Sequence, residues 1–291
     1  AELLYINSEL VKVFQLGTGQ SLPSQKTMRS KALAPCIFFA CSVCLASAFL
    51  PAASIRHSKS LAAGRPRLTM VNLYPDLVVY DMDACLWDKE MYQMTAIPTE
   101  DNVVIGDLNG RGEGVIGVMS GGEKISLHKG SLIGLQEHAD DVYPGMKAAF
   151  ASSAVTPFAE KVGRAALQLL EVVPGLTVWD LVVGRDWEGK DVNQIGRQPP
   201  LSSNKAATHF PRLREATGIR YDRMLFFDDC NWGDHCGQVA ARCREEDSGV
   251  GPAILRTPYG LGAREWRMGL EAYEAHSKKL EEALEEEAKY S

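Results

Sequence analysis

The 291 residues, 45% hydrophobic and 23% charged, have the make-up of an ordinary globular chain and permit a sizeable core in one large domain or two small ones. The net charge of −6 hides a division: residues 1–70 hold eight Lys/Arg and two Asp/Glu, which leaves 23 Lys/Arg and 35 Asp/Glu for an acidic body. That body excludes generic nucleic-acid binding, which needs basic surface to displace counterions. Seven Cys (Cys36, Cys41, Cys44, Cys85, Cys230, Cys236, Cys243) form no regular framework, so free thiols in a reducing compartment are expected for the body.

Residues 1–70 read as a leader. Met28 opens a basic stretch, followed by apolar Ala32 to Leu45 and small Ala46-Ser47-Ala48, the plan of a secretory signal peptide, with residues 1–27 upstream of it. Phe49 to Leu68 carries Arg56, Lys59, Arg65 and Arg67 with no acid, a composition that suits a plastid transit peptide. The join at Phe49 resembles the bipartite leaders of secondary plastids. Plastid delivery follows, with the secretory pathway or a membrane anchor as alternatives; Pro35 and Pro51 break the apolar run. No stable membrane association is expected once the leader is removed.

Leu77 to Tyr80 is a short apolar run of β type that ends in Asp81 and Asp83. Carboxyl ends of parallel strands are where ligands bind in open α/β sheets. Two acids there repel each other unless a cation or a shared proton is present; the simplest resolution is a hard divalent ion, and Mg²⁺ favours a small number of carboxylates with water and phosphate oxygens. Val103 to Leu127 predicts a small β-flap with turns at Asn109-Gly110 and Gly121-Gly122. Gly117 to Lys124 approaches a P-loop, but Glu123 stands at the Lys position and rejects it. A short helix is expected over Ser131–Ala139 and a second strand over Met146–Ala151, ending at Ser152-Ser153. A helix over Ala159–Val173 stopped by Pro174-Gly175, and a third strand over Thr177–Val183, come next. Ser202-Ser203 offer caps to a helix that carries Lys205 and ends at Gly218. Arg223–Phe227 is a fourth strand ending in Asp228-Asp229, and Pro252–Leu255 a fifth; beyond Arg264 a helix runs into an acidic tail. Alternating strands and helices point to a parallel sheet flanked by helices. The expected divisions are leader 1–70, catalytic domain 71–262, and C-terminal helix with tail 263–291.

Four edges thus carry polar groups able to converge: Asp81 and Asp83, Ser152, Lys205, and Asp229 with Asp228 beside it. The blander readings are a turn serine, an exposed helix lysine and an acidic loop. Cys230, His235 and Cys236 could ligate zinc, but their spacing fits no standard site.

Four such motifs in order resemble the haloacid dehalogenase superfamily of phosphohydrolases. Asp81 to Trp87, Lys205 to Phe210 and Phe226 to Asp229 resemble its eukaryotic magnesium-dependent phosphatase family. The resemblance implies a Rossmann-like α/β fold without a large cap domain. It also implies Mg²⁺-dependent hydrolysis of a phosphate monoester, through an aspartyl-phosphate. Asp81 would be nucleophile and metal ligand. Asp83 would be acid and base, with its main-chain oxygen on the metal. Asp229 would complete the metal site, with Asp228 the weaker candidate. Ser152 would hydrogen-bond a phosphoryl oxygen, and Lys205 would balance charge. The implied substrate is a small phosphorylated molecule or a phosphoprotein. The alternative is a catalytically silent phospho-ligand-binding protein of the same fold. Two positions depart from the pattern: Cys85 stands at the usual Thr, and Ser153 at an Arg that would contact substrate. The rim of an uncapped site is expected to be Ser153, the 103–127 flap and the 188–201 loop, with Arg185, Lys190 and Arg197 supplying cations.

Overall fold

The computed structural model describes residues 72–290. The expected leader and its address lie outside the described residues. In chain order the elements are β1 (Leu77–Tyr80), a flap of β2 (Val103–Asp107), β3 (Glu113–Ser120) and β4 (Glu123–Ile125), α1 (Lys129–Ala139), β5 (Lys147–Ser152) and α2 (Pro157–Leu169). They continue through β6 (Glu171–Val173), β7 (Leu176–Thr177), β8 (Gln194–Ile195), α3 (His209–Thr217), β9 (Met224–Asp228), α4 (His235–Arg242), β10 (Ala253–Arg256) and α5 (Ala263–Tyr290). Among the described residues no helix is long and apolar enough to cross a membrane.

The central sheet has the order β10-β9-β1-β5-β8 and every pairing in it is parallel. All four residues of β1 are buried, as a strand covered on both faces requires. Alternation splits them: Val78 and Tyr80 join one core with Phe150 and Phe227, and Leu77 and Val79 another with Phe226 and Phe210. Val162 and Ala166 of α2, Leu135 of α1, and Trp266 and Tyr273 of α5 complete the first core; Leu213 of α3 and Val239 of α4 complete the second. Each large side chain so buried contributes roughly 1.5–3 kcal/mol. The fold is therefore a Rossmann-like α/β sandwich without a large cap, and the flap is an antiparallel insertion tied to it by Lys89–Glu123 at 2.8 Å and Val115 N donating to Glu171 at 3.0 Å.

Three sequence expectations are corrected. Helix α2, capped by Thr156 with Pro157 at its first turn, stops at Leu169. β-branched Val172 and Val173 leave it for a hairpin whose turn puts Gly175 at φ +78°, so Pro174-Gly175 turns a strand rather than ending a helix. Thr177–Val183 is not a sheet strand: Asp180–Arg185 is helical, and Val178, Leu181 and Val182 are buried at helical spacing. The sheet's edge is instead β8, two residues paired to Ala151 and Ser152. Lys205 precedes α3 in a separate turn, where Asn204 Oδ1 accepts from Ala207 N at 3.0 Å. Gly218 does end α3, at φ +71°. Helix α5 packs along much of its length, with Trp266, Tyr273, Ser277 and Leu280 all buried.

Candidate active site

The parallel register places Tyr80 level with Phe227 and Phe150, so the residues after them emerge together at the carboxyl edge. Asp81 N donates to Phe227 O at 2.9 Å, and the chain then makes a wide turn over Met82–Leu86, closed by Trp87 N on Met82 O at 3.3 Å. Ala84 takes φ +51° inside that turn, a strained conformation of the kind found at functional loops. The fully buried Trp87 donates its indole N–H to Asp83 Oδ1 at 3.2 Å and so fixes that carboxyl. Cys85 is buried and its sulfur accepts from Thr257 Oγ1 at 3.2 Å.

Lys205 is wholly buried, and its Nζ lies 2.7 Å from both Asp81 Oδ1 and Asp228 Oδ2. Asp228 also receives Cys230 N on Oδ1 at 2.8 Å and faces His235 Nδ1 at 3.2 Å. Asp229 Oδ2 accepts from Asn231 N at 3.1 Å. Ser152, at the end of β5, has its carbonyl held by Gly196 N at 2.8 Å and by His209 Nε2 at 3.1 Å. His209 Nε2 also faces Gly196 O at 3.1 Å. With only carbonyls around it, Nε2 must carry the hydrogen.

Burial pushes Asp81 upward against Lys205, and the neighbouring Asp228 and Asp229 push the same way. Asp83 is pushed up to about 7, by burial first and then by the Glu90 charge. Asp229 is raised by burial and by Asp228. For Asp228 burial opposes ionisation, but Lys205 and His235 outweigh it and hold this carboxyl far below the usual range. Lys205 is likewise kept charged by Asp228 and Asp81 in spite of its burial. Three carboxylates against one ammonium leave an excess of negative charge in a poorly solvated place. One oxygen from each of Asp81, Asp228 and Asp229 lies within 4.8 Å of the others, so this set of hard oxygen donors fits a divalent cation. The side chain of Asp83 is not in that set.

These groups open into a cleft of about 460 Å³ lined by Asp81, Asp83, Ser152, Asp229 and His235, with Glu90, Tyr92, Ser153, Val155, Arg197 and Trp232 toward its mouth. All four sequence-derived edges therefore meet, Lys205 from beneath. The rim differs from expectation. Ser153 and Arg197 line it, Arg197 Nε donating to Ser153 O at 3.2 Å, but the 103–127 flap does not. Glu90 and Tyr92, on the segment before the flap, take that place, and Trp232 reaches across to Glu90 Oε1 at 2.9 Å. Tyr92 and Trp232 meet edge to face at 6.1 Å. Arg185 is turned away onto His138 O and Ala139 O, and Lys190 onto Ala216 O. Glu90, Tyr92 and Trp232 carry no periodic signal, and sequence reasoning missed them. His235, a zinc candidate in the sequence, turns instead to Asp228, and Cys236 N donates to Cys230 Sγ at 3.5 Å.

A parallel sheet with acids after its first and fourth strands and a lysine joining them defines the phosphohydrolase class of haloacid dehalogenase type. Residues 73–276 match the family model described as Acid Phosphatase, and the chain belongs to that family. A search of curated proteins found no match.

Proposed function

We propose that this phosphatase is a Mg²⁺-dependent phosphate monoester hydrolase that works through an aspartyl-phosphate on Asp81. The observation that carries the reading is the placement of Asp81, 2.7 Å from Lys205 and within the acidic set of Asp228 and Asp229, beside a separate carboxyl on Asp83. Asp81, Asp229 and the main-chain oxygen of Asp83 would hold Mg²⁺, which supplies charge screening and a clamp on a phosphoryl oxygen. The Asp81 carboxylate attacks phosphorus in line as the bond to the leaving oxygen breaks. Asp83, protonated near neutral pH, gives its proton to that oxygen and afterwards takes one from the water that hydrolyses the acyl phosphate. Ser152 hydrogen-bonds a phosphoryl oxygen, and Lys205 balances the charge gathering around Asp81. Arg197 is the cation at the mouth, and the acidic body disfavours nucleic acid as substrate. Small phosphate esters or phosphoproteins remain the substrate classes.

The test is hydrolysis of 4-nitrophenyl phosphate by purified, chelator-treated protein, with and without added Mg²⁺. Turnover is expected only with the cation restored. Equal rates without it would overturn the metal requirement, and phosphate binding without turnover would favour a silent binding protein. The plastid leader is likewise a proposal; N-terminal sequencing of the protein from its source cell should find a start shortly before Leu73, and a start near Met28 would favour an anchor.

A further inference from the structure

The loop that carries the acidic pair from β9 into α4 is bracketed by two cysteines, Cys230 directly after Asp229 and Cys236 in the first turn of α4. Both are free, and they lie against each other. The backbone also joins them: Cys236 N donates to Cys230 Sγ at 3.5 Å. Cys236 is 2% exposed, whereas Cys230 is partly open to solvent and holds φ +56°, a strained conformation for a residue with a side chain. The other two thiols among the described residues are committed elsewhere, Cys85 to Thr257 and Cys243 to Ala206 O. Nothing in the phosphatase chemistry uses the pair.

We propose that Cys230 and Cys236 are a dithiol modification site, and that closing them to a disulfide switches the phosphatase site off; the second half rests on the function proposed above. The oxidant is a disulfide compound such as oxidised glutathione. The more accessible Cys230 thiolate attacks one of its sulfurs, forming a mixed disulfide and releasing one thiol. The Cys236 thiolate then attacks Cys230 Sγ, which forms the protein disulfide and releases the second thiol. Two electrons pass to the oxidant, and the two protons leave on the released thiols. A disulfide holds its sulfurs about 2.05 Å apart, closer than two unbonded thiols can approach, so closure draws Cys230 toward α4. That movement pulls on two site contacts: Cys230 N on Asp228 Oδ1, which seats the carboxylate clamping Lys205, and Asn231 N on Asp229 Oδ2.

The experiment treats the full chain with oxidised glutathione, then maps thiols by mass spectrometry and measures phosphatase activity with Mg²⁺. Both cysteines fall in one tryptic peptide, Met224 to Arg242, which should become lighter by two hydrogens. Activity should fall at least tenfold and return with dithiothreitol. Cys236→Ser should keep the activity of the reduced wild type and lose only the inactivation, and Cys236→Ala serves if the serine variant folds poorly. A peptide that stays reduced, or that gains glutathione without closing, would overturn the site. A closed peptide with unchanged activity, or inactivation that persists in both variants, would overturn the switch. The peptide mass does not depend on turnover. An inactive reduced protein would therefore count against the proposed function and leave the disulfide to be judged separately.

Discussion

Two clusters of charge in this molecule have similar ingredients and opposite behaviour. Behind α3, Arg214 grips Glu245 through Nε and Nη2 at 2.8 and 2.6 Å, and Arg220 bridges Asp222 and Asp247 at 2.6 and 2.7 Å. Every acid there has an arginine partner. Hydrogen bonds from Arg220 pull Asp247 down to about 2, and those from Arg214 lower Glu245. At the carboxyl edge of β1 and β9, Asp81 and Asp228 share the single Lys205, with Asp83 and Asp229 beside them, and burial pushes Asp81, Asp83 and Asp229 upward. The balanced cluster holds loops together, and each pair in it is satisfied. The unbalanced one keeps acid in excess where water is scarce, a costly arrangement unless a cation completes it.

The difference is broken most sharply at Asp81. Asp81→Asn should abolish turnover, on the order of 10⁴–10⁶-fold in kcat, because the attacking oxygen is gone. In the same protein the thermal midpoint should stay level or rise, since one of three mutually repelling carboxylates becomes neutral. Measurable activity near wild type in homogeneous Asp81→Asn protein would remove the proposed mechanism. Asp83→Asn should cost less, roughly 10²–10⁴-fold, the usual worth of a general acid–base group. Its loss should shrink with 4-nitrophenyl phosphate, whose leaving oxygen needs little protonation, relative to an alkyl phosphate. Equal losses on both esters would deny Asp83 the acid role.

What the sequence displayed of this contrast follows from where periodicity and composition speak. The strand ends were readable because buried parallel strands are continuous apolar runs, and Leu77–Tyr80 and Met224–Phe227 each lead straight into acids. Ser152 and Lys205 followed from order along the chain. Thr177–Val183 misled because β-branched valines at 178, 182 and 183 suit a strand in composition, while the spacing of 178, 181 and 182 is helical. The real edge strand, Gln194–Ile195, is two residues long and leaves no pattern to find. The rim was hidden for a different reason. Trp232 meets Glu90 across 142 residues, a contact that only the tertiary fold creates. The arginine network was equally invisible, since Arg220 and Asp247 lie in separate loops.

Arg220 sharpens the comparison from the structural side. Arg220→Ala leaves Asp222, 1% exposed, without its main cationic partner and frees Asp247. Denaturant unfolding should show a loss of about 1–3 kcal/mol, the cost of an unpaired buried acceptor. The kcat of the folded fraction should stay at the wild-type value. A fall in kcat at full folding would mean that this cluster is coupled to the site rather than separate from it.

The smallest effect belongs to His209, which is buried between the two loops of the site and must remain neutral there. Its ring donates from Nε2 to Ser152 O and Gly196 O, Nδ1 lies 3.0 Å from Thr208 Oγ1, and the residue stands at the first position of α3. Burial depresses it to about 4, and the positive charge of Lys205 and the nearby His235 add to this. The helix N-terminus also disfavours a second positive charge. The unfolded histidine titrates near 6.5, so between roughly 6.5 and 4 the unfolded chain binds the proton and the folded one does not. Stability from this group is therefore complete above about 6.5 and is lost as pH falls toward 4. His209→Gln keeps a donor able to reach Ser152 O and removes the titration. The stability advantage of wild type over His209→Gln should shrink by about 1–2 kcal/mol between pH 7 and pH 5, read from urea unfolding at each pH. A difference that stays constant across this range would show that the ring accepts a proton in place, and that neutrality at His209 is not what holds Ser152 to the edge strand.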